Sequence, residues 1–140
     1  MTLGGSGSDF SAATLAHATG AASVTLWKEV DGLLTADPRA VPEARVLEAL
    51  HYREAAELAY YGARVLHPRT LMPLIEAKIP LHVRNTFKPG FAGTRVAADV
   101  GAGEYPVKAL TAIEHQALLA IEGTGMIGVP GIAGRTFATL

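Results

Sequence analysis

The sequence predicts a layered α/β domain followed by a shorter β–α unit. Three observations carry this. Segments of strand, helix, helix and strand character follow one another with short links, the order of a layered α/β domain. Hydrophobic residues make up 49% of the 140-residue chain, enough to fill a core. At Gly101–Pro106, G-A-G-E-Y-P, the composition turns to Gly and Pro, and a new apolar pattern starts at Val107. The expected layout is residues 1–100 as the main unit, 101–106 as a linker and 107–140 as the smaller unit.

The chain opens on a Gly-rich stretch, with Gly4, Gly5 and Gly7 among serines. Such backbone exposes N–H groups to an anion, and here it leads into a helix N-terminus. The G-x-x-x-x-G-K-[ST] pattern is absent, so this is no P-loop. A helix is expected over Asp9–Thr19, with Ser8 or Asp9 as N-cap and Gly20 as C-cap. Ala12, Ala13, Leu15, Ala16 and Thr19 form its packing face.

Ser23–Arg39, S-V-T-L-W-K-E-V-D-G-L-L-T-A-D-P-R, organises the rest. Val24, Leu26 and Val30 are strand formers, and Trp27 adds apolar surface. Asp31-Gly32 and Asp37-Pro38 then break the chain twice. Ligands of open α/β sheets sit outside the carboxyl ends of strands. A stiff loop there that ends in the Arg39 guanidinium suits a phosphorylated ligand.

Val46–Leu50 is short and apolar. Tyr52–Tyr61 reads as a helix, with Ala55, Leu58 and Ala59 on one face and Arg53, Glu54 and Glu57 toward water. Gly62 ends or bends it. Pro68 suits the first turn of a next helix, whose core stripe is Leu71, Leu74 and Ile75, and His67 just before it caps that turn. Leu81–Asn85 alternates as a strand, Lys88-Pro89-Gly90 is a turn, and Gly93–Ala97 is a short edge strand. In the smaller unit, Leu110–Ile113 and Ala117–Ile121 are strand material, Gly123–Met126 is a loop, and Val129–Leu140 is a helix.

Composition narrows the function. A net charge of −1 gives no reason to expect nucleic acid or an anionic membrane as partner. The absence of cysteine excludes disulfides and thiolate metal sites. His17, His51, His82 and His115 lack metal-ligand spacing. No apolar run approaches the roughly 18 residues of a membrane span. The first residues lack signal-peptide character. A cytoplasmic protein is the expectation. Trp27 and Tyr60-Tyr61 read as packing groups rather than base-stacking surfaces.

Four blocks occur collinearly: L-G-x-x-G-S-D-F-S-A-A-x-L-A, W-K-E-V-D-G-L-L-T-A-D-P-R, Y-R-E-A-A-E-L-A-Y-Y-G-A-R-V-L-H-P-R-T and V-R-N-T-F. Together they resemble the aspartokinases of the amino-acid kinase family. D-G-L-L-T-A-D-P-R is shared across amino-acid kinases, whereas the first and third blocks are more specific. V-K-A-L-T-A-I through G-T-G-M-I-G-V-P-G-I-A-G-R-T-F resembles the start of that family's ACT regulatory region, closest to the threonine-regulated type. The resemblance implies an αβα half domain of the amino-acid-kinase type over 1–100 and a partial ACT-like β–α unit over 107–140. The family's Lys-Phe-Gly-Gly-Thr segment has no match here, so the chain is expected to be the later half of the kinase domain and inactive alone.

The resemblance also assigns roles. Asp9, with Ser8 beside it, matches the aspartate that contacts the amino-acid substrate; a helix-cap role is compatible with this. The family's substrate-carboxylate arginine is Gly5 here, and losing such a charge-assisted pair typically costs about 2–5 kcal/mol. Lys28 and Glu29 stand at the usual Thr and Asp of the nucleotide loop. Leu34 replaces a common tyrosine. Arg39 matches the phosphate-side arginine, and Arg64 stands at the usual lysine. Met126 and Gly128 lie in the loop that shapes the ACT effector pocket. The implied reaction transfers phosphoryl from ATP, with Mg²⁺ carried by the nucleotide, to the β-carboxylate of L-aspartate. The ACT-like tail implies a homo-oligomer. Two alternatives stay open: a non-catalytic nucleotide- or amino-acid-binding fragment, and another amino-acid kinase such as glutamate kinase.

Overall fold

The computed structural model describes residues 7–61, 65–101, 106–113, 115–118, 120 and 130–139. The elements are α1 (Gly7–Thr19), β1 (Val24–Lys28), β2 (Ala49–His51), α2 (Tyr52–Tyr60), α3 (Pro68–Ala77), β3 (Leu81–Asn85), β4 (Thr94–Ala97) and α4 (Ile132–Thr139).

Among the described residues the strands form one mixed sheet in the order β1-β3-β4-β2. β1 and β3 run parallel, β3 and β4 antiparallel, and β2 and β4 parallel. Residues abreast in a sheet share a face. Val24, Leu81, Val96 and Leu50 form one such row, and Leu26, Val83 and Thr94 the next. Both rows are buried, and they meet the helices: α1 packs on β1 and α3, while α2 packs on α3, β2 and β4. The opposite face carries Thr25, Trp27, His82, Arg84 and Arg95. Trp27 is 48% exposed there, with the Arg84 guanidinium 5.2 Å over its ring. Tyr60 and Tyr61 pack edge-on against each other at the surface.

The layered α/β reading holds, with local corrections. α1 starts at Gly7, so Ser8 and Asp9 lie in its first turn rather than at its cap. Its buried stripe is Asp9, Ala13 and Ala16. Leu15, expected to pack, is 65% exposed, because α3 takes the sector of the helix that carries the alanines. Gly20 caps the helix as expected, at φ +62°, with Ala21 N–H donating to the Ala16 carbonyl at 3.0 Å. β1 stops at Lys28, and Val30 lies in the bend beyond it.

α2 is capped reciprocally. His51 Nδ1 accepts the Arg53 N–H at 3.2 Å, and the Glu54 carboxylate accepts the His51 N–H at 2.7 Å. Glu54 therefore does not simply face water. His67 caps α3 in the expected way, its Nδ1 accepting the Arg69 N–H at 3.2 Å ahead of Pro68. In α3 the buried residues are Thr70, Leu71, Pro73 and Leu74; Ile75 turns outward at 39% exposure. The Tyr52 hydroxyl, buried under this layer, donates to the Ile79 carbonyl at 2.6 Å.

Leu110–Ile113 forms no strand. This stretch belongs to a strap laid along α2: Lys108 pairs with Glu54 at 2.7 Å, and the Thr111 hydroxyl donates to the Tyr61 carbonyl at 2.8 Å. Leu110 and Ile113 stay exposed, so apolar character alone did not make a strand. Ala117, Leu118 and Ala120 are also outside any strand, while Leu119 and Ile121 lie outside the described residues. α4 falls within the expected helix over Val129–Leu140 and buries none of its residues. The loop at Gly123–Met126 lies outside the described residues.

Candidate functional site

β1 and β3 are parallel and in register from Val24–Leu81 to Lys28–Asn85, so their carboxyl ends form one edge. The Thr86 N–H donates to the Lys28 carbonyl at 2.8 Å and ties the two exits together. This edge gathers charge.

Alternation along β1 puts Lys28 on the same face as Val24 and Leu26, toward the helices. α1 packs on β1, and Asp9 in its first turn points at that strand end. Lys28 Nζ lies 2.5 Å from Asp9 Oδ2. The Asp9 side chain is 8% exposed and that of Lys28 24%. A buried carboxylate needs such a cation, because desolvation otherwise disfavours its charge.

Beyond Lys28 the chain bends, and the Asp31 carboxylate returns to the edge. Its Oδ1 accepts from Asn85 Nδ2 at 2.6 Å, and its Oδ2 pairs with Lys88 at 2.7 Å. Asn85 Oδ1 in turn accepts the Phe87 N–H at 2.8 Å. The hydrogen bond from Lys88, followed by that from Asn85, holds the Asp31 carboxyl below the usual carboxylate range against a smaller desolvation effect.

Gly32, at φ +147°, leaves room that a Cβ would take from Thr94. Thr94 uses it: its Oγ1 accepts the Leu33 N–H at 2.8 Å in the buried interior. Leu34 then bridges Val46, the Thr35 N–H donates to the Arg45 carbonyl at 2.8 Å, and the Leu47 N–H to the Leu33 carbonyl at 2.8 Å. At the loop tip Asp37 Oδ1 accepts the Arg39 N–H at 2.9 Å, and the guanidinium pairs with the same carboxylate at 2.6 Å. These bonds tie the loop along its length, at the two breaks and between them. The strap touches it too, through the Leu110 N–H to the Thr35 carbonyl at 2.8 Å.

Of the residues expected in the site, Asp9 and Lys28 are brought together. Ser8 and Glu29 are exposed beside them, and Leu34 is half-buried in the loop. Arg39 stands at the loop tip against Asp37, with its side chain 76% exposed. Arg64, Met126 and Gly128 lie outside the described residues, as does Gly5. Sequence reasoning missed Asp31, Asn85, Lys88 and Thr94 as members of the site. Asn85 carried a signal: it takes the buried position after Leu81 and Val83, where a third aliphatic residue is expected. Among the described residues, no group of His, Asp and Glu could hold a metal ion. No helix among them is long and apolar enough to cross a membrane.

Residues 2–85 match the model of the amino acid kinase family. The chain is 44% identical over its whole length to a bifunctional aspartokinase/homoserine dehydrogenase of Haemophilus influenzae, and spans 17% of that relative. It is 46% identical over 99% of its length to bifunctional aspartokinase/homoserine dehydrogenase 1, chloroplastic, of Zea mays, spanning 16% of it. The crystal structure of E. coli aspartokinase III in complex with aspartate and ADP covers 72% of the chain, with a TM-score of 0.68 and 42% identity; the match takes in 23% of that structure.

Proposed function

The chain belongs to the amino acid kinase family, and from that premise we propose that it serves as part of an aspartokinase, transferring phosphoryl from ATP to the β-carboxylate of L-aspartate to give 4-phospho-L-aspartate. One observation carries the reading. The carboxyl ends of parallel β1 and β3 gather Asp9, Lys28, Asp31, Asn85 and Lys88 at one edge, beside a stiff loop that ends in Arg39. The similar E. coli enzyme was crystallised with aspartate and ADP.

In this reading Asp9 and Ser8 face the amino acid, and Lys28, Glu29, Leu34, Arg39 and Arg64 face the nucleotide. A carboxylate is already a competent nucleophile. The chain's work is then alignment and neutralisation of charge on the transferred phosphoryl. Mg²⁺ fits as a passenger of the nucleotide, since it is commonly held by phosphates, water and few protein ligands.

The proposal also takes residues 1–100 as the later half of the kinase domain, joined through 101–106 to the start of an ACT-like unit over 107–140 of the threonine-regulated type. Met126 and Gly128 shape its effector loop, and its surface pairs copies of the chain. Exposure of Val107, Leu110, Ile113, Leu118 and Phe137 supports that pairing. The cytoplasm suits this reaction.

Calorimetric titration of ADP–Mg²⁺ tests the site. Arg39→Ala and Arg64→Ala should each weaken binding by about 1.5–3 kcal/mol, the size of a hydrogen bond to a charged group. Unchanged affinity in both variants would overturn the assignment.

A further inference from the structure

Between α2 and the strap lies a cavity of about 480 Å³. Small-molecule sites commonly enclose roughly 300–1,000 Å³. None of its lining residues belongs to the proposed kinase site. From α2 come Glu54, Glu57, Leu58 and, at its C-cap, Tyr61. These stand at i, i+3, i+4 and i+7, so they share one face of the helix. Buried Leu50 of β2 lies beneath them, and Pro106 and Ala109 of the strap form the opposite wall.

The charges of this cavity do not cancel. Lys108 and Glu54 hold each other at 2.7 Å, and Glu54 also accepts the His51 N–H. That leaves Glu57. Its carboxylate makes no ion pair or hydrogen bond among the described residues. The lining therefore carries one net negative charge beside an apolar wall. The Tyr61 ring stands one turn from Glu57, and an aromatic face attracts a cation. An anion would meet a lysine already engaged. A bare metal ion would meet one free carboxylate and apolar groups, too few oxygens for a hard cation.

We propose that this cavity binds an amphipathic monocation, a primary ammonium on a short hydrocarbon chain. The ammonium pairs with Glu57 against the Tyr61 ring, and the chain lies along Leu58, Pro106 and Ala109. A bound ligand bridges α2 and the strap. The strap in turn donates the Leu110 N–H to the Thr35 carbonyl, so occupancy fastens that contact as well.

The test titrates the isotope-labelled 140-residue chain with n-hexylammonium, n-hexanol and hexanoate, and follows amide shifts by NMR. The amides of Glu57, Leu58, Tyr61 and Ala109 should move together. The ammonium should bind about fivefold or more tighter than the alcohol, the size of an exposed ion pair with a cation–π contact, and hexanoate should bind weakest. Glu57→Gln should reduce that preference to within about twofold while leaving the affinity for the alcohol unchanged, which separates lost charge from lost structure. Saturating n-hexylammonium should slow hydrogen exchange at the Leu110 N–H by about threefold or more. Equal binding of ammonium and alcohol, tightest binding of hexanoate, an undiminished preference in Glu57→Gln, or shifts away from α2 and the strap overturns the inference. So does binding of none of the three probes. Unchanged exchange at Leu110 overturns the bracing of the strap. The kinase reading rests on the ADP–Mg²⁺ titration and is untouched by any of these results.

Discussion

Glu54 and Lys108 are joined by a 2.7 Å ion pair that fastens the strap at 106–111 to the first turn of α2. Glu54 also caps that helix through the His51 N–H. Burial pushes the Glu54 carboxyl up, but the hydrogen bonds from Lys108 and His51 and their charges outweigh it, and the net shift is downward. A carboxyl depressed in the folded state contributes stability above its unfolded pKa, and this is lost as pH falls through the folded value.

Lys108→Met should therefore cost about 0.5–1 kcal/mol near neutral pH, the range of a partly screened pair. The difference from the unaltered chain should shrink below about pH 4, where Glu54 is protonated in the unfolded chain. Urea midpoints at neutral and acid pH read this directly. Hydrogen exchange at the Leu110 N–H, which donates to Thr35, should quicken at neutral pH; equal exchange in both proteins would show that Lys108 does not hold the strap.

The loop proposed to face the nucleotide depends on Thr94. Its Oγ1 is the acceptor for the buried Leu33 N–H. Thr94→Val keeps the volume but strands that donor, at about 1–3 kcal/mol. Gly32→Ala should cost at least as much, because its Cβ would collide with the Thr94 hydroxyl and its φ of +147° disfavours any side chain. Chemical denaturation of both variants checks the order.

Much of the fold was legible because it is local. Gly20, His67 and Pro68 announce helix ends by chemistry that acts within a few residues. Leu81–Asn85 alternates as a strand does. What was not legible depends on distant partners. Whether Leu15 or Ala13 faces inward is set by α3, and whether Ile75 packs is set by the sheet below it. Leu110–Ile113 is apolar in either a strand or a strap; the choice falls to Glu54 and Tyr61, which lie about fifty residues earlier. In the site, Asp31-Gly32 was recognised as a turn, but the bond from Asn85 joins residues 54 apart and leaves no short-range signature. The resemblance sets Lys28 toward a nucleotide, and only the packing of α1 on β1 shows it reaching Asp9.

His82 gives a separate pH response. It lies between Arg84 on its own strand and Arg95, its partner in β4. Burial first, then the charges of Arg95 and Arg84, lower its pKa from the ordinary 6.5. The folded protein thus resists protonating a group that the unfolded chain protonates readily. Its contribution is intact above the unfolded value and is lost as pH falls through the folded one. The thermal midpoint should drop between pH 7.5 and 5.5, and His82→Gln should flatten that part of the curve. An unchanged slope in the variant would assign the acid sensitivity elsewhere.

The exit of β1 is held by Asp31, which accepts from Asn85 at 2.6 Å and pairs with Lys88 at 2.7 Å. These bonds fasten the start of the loop carrying Leu34 and Arg39 to the end of β3. The nucleotide proposed for that loop then meets a preorganised surface, and ligand binding does not have to order the loop. Asp31→Asn keeps an acceptor for Asn85 but removes the charge for Lys88. Asp31→Ala removes both. ADP–Mg²⁺ affinity should therefore fall in the order unaltered chain, Asp31→Asn, Asp31→Ala, and the thermal midpoint should fall most in Asp31→Ala, which leaves the amide of buried Asn85 without its acceptor. Calorimetry on the three proteins gives the order. Equal affinity in all three would mean that the Asp31 bonds shape the edge without serving the loop.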